Sequence, residues 1–121
     1  MKVFVYGTLK KGYGNNVLLN GTEFLGEHLL PGFKLLNAGF PVASPSANDT
    51  IKGEVYELAD NTPNLQWLDR LEANGRMYNR TKVSDETHGE LELYVGHPEY
   101  WPIHKMEECP RDSQGRYYWS R

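Results

Sequence analysis

The chain lacks several things, and each shortage closes a class of function. Cys109 is its single cysteine among 121 residues, so no disulfide can close within it and no thiolate-built metal site is expected. Behind Lys2 there is no apolar run of signal-peptide length, and nowhere a span long enough to cross a bilayer. A soluble cytoplasmic protein is therefore expected, and in that setting three Asn-x-Thr triplets, beginning at Asn20, Asn48 and Asn79, have no meaning as glycosylation sites. Positive charge is also in short supply: 13 basic residues stand against 16 acidic ones, a net −3, which leaves no general footprint for nucleic acid. Arg111, Arg116 and Arg121 near the aromatics Tyr117, Tyr118 and Trp119 are the one arrangement suited to single strands, and the acidic whole argues against it. No heptad pattern or internal repeat is present, so a monomer with a small-molecule partner, and neither membrane nor nucleic acid, is expected.

What remains suits one domain over residues 1–121, long enough to bury a core unaided. Twelve glycines and eight tyrosines favour a fold rich in strands and turns. Val3 to Tyr6 read as a strand that runs straight into the glycine-bearing loop "GTLKKGYG". The stretch "NNVLLNG" predicts one or two helical turns, capped by Asn15 or Asn16 and ended by Gly21. Phe24 to Leu36 predicts two extended segments around a turn at Pro31-Gly32. The stretch "NAGFPVASPSANDT" reads as loop, because Pro41 and Pro45 oppose regular structure. "TIKGEVYEL" reads as a strand in which Gly53 marks a bulge or a close backbone approach. "MYNRTKV" and "GELELYV" predict a hairpin turning around Asp85 to His88. The tail from His97 onward carries no assignable regular structure, and its aromatics are expected to pack back onto the domain. Mostly strands with one good helix indicate an α+β fold with a partly closed sheet.

That helix lies in "NTPNLQWLDRLEANG", with Asn61 or Thr62 as cap, Pro63 in the first turn and Asn74-Gly75 as stop. At about 100° per residue, Trp67, Leu71, Leu68 and Leu65 form one apolar arc, and Glu72 projects inside it. Gln66 and Arg70 point away, and Asp69 falls just past the edge. A carboxyl facing the core loses hydration and holds its proton more tightly, and the helix dipole in the last turn acts the same way. Two readings fit: a general acid/base working near neutral pH, or a rim residue reaching into water.

The glycine loop is similarly open. Its opening Gly-x-x-x-x-Gly looks like a phosphate loop, yet Tyr13-Gly14 stands where Lys-Ser or Lys-Thr is required, which disfavours nucleotide hydrolysis. A spaced dinucleotide-binding Gly-x-Gly-x-x-Gly is absent too. Either this is a plain turn, or it presents the N–H groups of Tyr6, Gly7, Thr8 and Leu9 to a small anion such as a carboxylate. His28, His88, His97 and His104 show no i, i+4 pair and no companion carboxylate at metal spacing, so no metal is expected. Cys109 sits among Glu107, Glu108 and Pro110, where acidic neighbours raise a thiol pKa and make a poor nucleophile.

Read together, Tyr6-Gly7-Thr8-Leu9, Gly53-Glu54-Val55-Tyr56, Leu68-Asp69-Arg70-Leu71-Glu72 and Tyr78-Asn79-Arg80 resemble the signatures of the γ-glutamylcyclotransferase-like family, closest to its γ-glutamylamine cyclotransferase (AIG2-like) branch. The resemblance runs from Met1 to about Val95. It departs after the glutamate, where many relatives have Gly-Pro and this chain has Ala73-Asn74-Gly75. It implies a small mixed β-barrel flanked by helices and a reaction that needs no cofactor. In that reaction the α-amino group of a γ-glutamyl compound attacks its own γ-carbonyl, an amine leaves and 5-oxoproline (pyroglutamate) forms. It further implies Glu72 as the catalytic acid/base, with Tyr6, Gly7, Thr8 and Leu9 gripping the glutamyl part. A non-catalytic binding module of the same fold, or an amidase that admits water, are the alternatives.

Overall fold

Alternation along the first strand sets the layout. In β1 (Lys2–Val5) successive side chains point to opposite faces, so Phe4, with Tyr6 just beyond, joins one buried cluster while Val3 and Val5 join another. The structure, a computed structural model, describes residues 1–120. Five further strands complete one sheet: β2 (Glu23–Asn37), β3 (Pro41–Glu57), β4 (Tyr78–Asp85), β5 (Gly89–Gly96) and β6 (Glu107–Glu108). Their order is β4-β5-β1-β3-β2-β6. The late half of β3 pairs antiparallel with β1, β1 pairs parallel with β5, and the early half of β3 also meets β5 at Ala43↔Val95. A strand that pairs with both members of another pair cannot lie flat, so the sheet curls into a half-barrel. Phe4, Leu35, Ile51, Leu91, Leu93 and Tyr117 fill one face. Val3, Val5, Tyr56 and Tyr94 fill the other, beneath Leu68 of the α-helix α1 (Asn64–Leu71). Among the described residues no helix is long and apolar enough to cross a membrane.

The longest hairpin departs from expectation. Pro31-Gly32 is not a turn, and "PVASPSANDT" is not a loop: β2 and β3 run through both. Register jumps from Pro31↔Thr50 to Phe33↔Pro45, so Pro45 and the Ser46–Asp49 stretch sit at a wide bulge where a missing N–H costs nothing. Gly32 takes a positive φ of 94° there, and Pro41 merely starts its strand. Gly53 marks a close approach rather than a bulge, since its register with His28 is unbroken. A Cβ there would lie 2.4 Å from the Val5 carbonyl oxygen and 2.5 Å from Phe4 Cζ. The β4–β5 hairpin forms as expected, from Tyr78↔Gly96 to Asp85↔Gly89.

Neither helical segment has its expected N-cap, although Gly21, at φ 84°, does lie just past the end of the first. Gly14–Leu19 is a 3₁₀ helix whose asparagines hold the glycine loop instead of its own end: Asn15 Nδ2 donates to Thr8 Oγ1 and Asn16 Nδ2 to the Leu9 carbonyl. In α1 the cap position is Pro63, and Thr62 Oγ1 turns back to the Ala59 carbonyl. Nor does Gly75 stop the helix. Ala73 does, at φ 47°, with Ala73 N–H donating to Arg70 O and Asn74 N–H to Asp69 O, the paired bonds of a Schellman motif. Alanine is strained in that left-handed conformation. Ala73→Gly should therefore raise stability by about 0.5–1 kcal/mol, after the larger unfolded-state entropy of glycine is subtracted; the shift of the urea midpoint measures it.

The tail folds back through Tyr117, whose N–H donates to Thr50 O and whose carbonyl accepts from Lys52 N–H. A short 3₁₀ turn, Ile103–Lys105, and β6 lie on the way. Arg111 is engaged with Asp49, Glu108 and the Tyr117 hydroxyl, and Arg116 with Asp112, so neither stands free for a polyanion. Arg121 lies outside the described residues.

Candidate active site

The end of α1 brings Glu72 over the loop that follows β1. Leu68 is the only member of the expected apolar arc that is fully enclosed; Trp67 and Leu71 remain 39% and 41% exposed. The short helix meets the sheet along a narrow strip, so the arc turns partly outward. Glu72 nonetheless faces inward, into a cavity of about 280 Å³ that Tyr6, Gly7, Thr8 and Leu9 also line. All five residues singled out in the sequence thus share one cavity. Phe40, Pro41, Met77, Tyr78 and Tyr94 complete its apolar wall, and Asn15 its polar side. Of these, Tyr94 and Pro41 carried no site signal in the sequence, and Asn15 was legible there only as a helix cap.

Burial alone pushes the Glu72 carboxyl up to about 7. Around it stand tyrosines that burial keeps protonated, Tyr78 and Tyr6, each pushed further up by the Glu72 charge. Their hydroxyls are committed as donors, Tyr78 to the Pro41 carbonyl at 3.0 Å and Tyr6 to the Tyr94 carbonyl at 2.5 Å. These bonds hold the wall rigid. The loop is held as well: Lys10 N–H donates to Gly7 O, and the two asparagine bonds fix Thr8 and Leu9. Among the described residues, the N–H groups of Gly7, Thr8 and Leu9 find no acceptor. Unpaired N–H groups in succession beside a cavity form an anion-binding concavity. Gly7 is there because nothing larger fits: a Cβ would lie 2.5 Å from Pro41 Cγ.

Glu72 is placed by a network one turn back. Arg80 Nη1 donates to both oxygens of Asp69 at 2.6 and 2.5 Å, and Arg80 Nε to Glu92 at 3.1 Å. Tyr94 donates to the same Asp69 at 2.6 Å. The helix end is thereby tied to β4 and β5.

Cys109 is buried, and burial rather than its acidic neighbours pushes the thiol up to about 11. The histidine expectation needs a larger correction. His28 does have a companion carboxylate, Asp85 at 2.7 Å, and His88 lies beside both. Spacing could not show this, since 57 residues separate His28 from Asp85.

A mixed sheet curled against one short helix, with a half-buried glutamate facing a glycine loop, defines a class, and comparison with known proteins agrees. The sequence model described as "Gamma-glutamyl cyclotransferase, AIG2-like" matches residues 3–119. The chain belongs to that family. It is 35% identical to gamma-glutamylaminecyclotransferase of Bos taurus over 133 aligned positions, covering 95% of this chain and 77% of that protein. It is 33% identical to the γ-glutamylcyclotransferase family protein YtfP of Escherichia coli K12, covering 78% and 81%. Among solved structures, E. coli ytfP superposes with a TM-score of 0.72 at 27% identity over 98% of this chain and 96% of that one. An AIG2-like protein of Mus musculus gives 0.67 at 27% identity, over 99% and 95%.

Proposed function

We propose that the protein is a γ-glutamyl cyclotransferase that releases an amine or amino acid from a γ-glutamyl compound and leaves 5-oxoproline. The observation that carries this reading is one cavity holding both a half-neutral carboxyl, Glu72, and the unpaired N–H groups of Gly7, Thr8 and Leu9. The N–H groups take the substrate α-carboxylate, which sets the α-amino group near Glu72. Glu72 accepts a proton as that nitrogen bonds to the γ-carbonyl carbon. The bond to the departing nitrogen then breaks, and Glu72 returns the proton to it. Atoms balance without water, and no cofactor enters. Nucleophile and electrophile share one molecule, so well-oriented attack gains up to roughly 7–11 kcal/mol over a bimolecular reaction, and the cavity has only to select the bent conformer. The apolar wall excludes water that would otherwise divert the reaction to hydrolysis.

Purified protein incubated with γ-glutamyl-ε-lysine and with γ-glutamyl amino acids should yield 5-oxoproline by mass spectrometry. Free glutamate in its place identifies an amidase, and tight binding without product identifies a binding module; either outcome overturns the proposal. A second test falls on the loop. Gly7→Ala drives a methyl into Pro41, displacing N–H groups that must meet the carboxylate, and should lower kcat/KM by about 10²-fold with the fold intact.

A further inference from the structure

We propose that His28, Asp85 and His88 form a binding site for a divalent transition-metal ion, zinc by the character of its donors, away from the catalytic cavity. The three side chains come from β2, from the last residue of β4 and from the turn that leads into β5. Each offers a ligand atom, and these atoms lie within 4.8 Å of one another. Two imidazoles and a carboxylate are a common three-residue zinc set that leaves a fourth position for water. In such a site, with bonds of about 2.0–2.1 Å, tetrahedral donors sit about 3.3 Å apart. The observed spread therefore closes with small side-chain rotations.

Preorganisation supports the site further. Asp85 Oδ2 accepts the N–H groups of Thr87 and His88 at 3.1 and 2.9 Å. That fixes the carboxylate plane and aims Oδ1 at His28 Nε2, 2.7 Å away. Ligating carboxylates are characteristically held in this way by their outer partners. His28 and Asp85 side chains are only 12% and 6% exposed, so their mutual orientation survives without metal. The His88 ring meets the His28 ring edge-on at 5.0 Å between centroids, and among the described residues neither His88 ring nitrogen has a hydrogen-bond partner. An ion has a way in: His88 borders a surface hollow shared with Glu57, Glu90 and Glu92, against the positive Lys2 and Met1 amino groups. A metal bound at His28 Nε2 takes the place of the hydrogen bond to Asp85, leaving a neutral imidazole with its hydrogen on Nδ1 and releasing any displaced proton to solvent.

The site is remote from the chemistry. Tyr78, at the start of β4, lines the catalytic cavity, and Asp85 ends the same strand seven residues on, about 23 Å away at ~3.3 Å per residue. Its role is to clip β2 to the β4–β5 hairpin, strands that are not neighbours in the sheet.

The test uses the untagged full chain, stripped with chelator and titrated with Zn²⁺ against a chromophoric competitor, with Co²⁺ as a spectroscopic probe. One ion per chain is expected, with a melting temperature that rises with zinc. Losing a ligand should weaken binding by at least about tenfold in His28→Asn, Asp85→Asn and His88→Ala, but not in His104→Ala. His88→Ala keeps the backbone N–H that the turn uses, so it remains a fair test should the buried variants misfold. Absence of saturable zinc binding overturns the site, and so does binding that survives His88→Ala.

Discussion

Glu72→Gln is expected to lower turnover by about 10²–10⁴-fold, the usual contribution of a general acid/base, while leaving a folded protein that is more stable at pH 8. Both effects come from one cause. Burial raises the carboxyl from 4.5 to about 7, so the native state holds a proton that the unfolded chain has released. Below pH 4.5 the group is neutral in both states and costs nothing. As pH rises from 4.5 to 7 the unfolded chain binds fewer protons than the native one, and stability falls. Above 7 the loss is complete. About 2.5 pH units correspond to ~3 kcal/mol, and access of solvent through the cavity mouth reduces this to ~2. Urea melts at pH 5 and pH 8 should therefore converge in Glu72→Gln and differ in the parent. In the parent, kcat/KM should climb about tenfold per pH unit up to a bend near pH 7. Full activity in the glutamine variant, or a rate flat from pH 5 to 8, would remove Glu72 from the mechanism.

Arg80→Ala should be the most damaging substitution outside the cavity. It leaves Asp69 held by Tyr94 alone and leaves Glu92, buried at 6% exposure, without an ion-pair partner among the described residues. Breaking a buried pair from one side costs about 3–5 kcal/mol. Arg80 and Asp69 are 23% and 30% exposed, which lowers the expectation to about 2–4. Asp69 precedes Glu72 by about one helical turn, so the loosened helix end also misplaces the carboxyl, and kcat should fall further than KM rises. Arg80→Lys should recover less than half of the lost stability, because a point charge cannot span Asp69 and Glu92 as a planar fork does. A urea midpoint unchanged in Arg80→Ala would show that β4, β5 and the helix are held by packing alone.

Much of the site was legible because its signals are local. A carboxylate on an apolar helical face, and a strand running into Gly7, are statements about a few neighbouring residues, and Glu72 and Tyr6 to Leu9 do meet in one cavity. The β4–β5 hairpin was legible for the same reason. Proline misled where its neighbours across the sheet mattered: Pro31 and Pro45 flank a bulge, and no local rule shows that the opposing strand excuses their missing N–H. The caps failed similarly, since Asn15 and Asn16 serve the glycine loop and Ala73 accepts a conformation better suited to glycine.

By itself the sequence determined the strand-rich class, the identity of the acid/base candidate and the turn that faces it, because periodicity and turn chemistry act over a few residues. Only the tertiary structure decided the curl of the sheet, the Arg80 network and the meeting of His28 with Asp85 and His88. Those depend on which distant strands pair and in what register, and that is settled by burial of the whole chain at once.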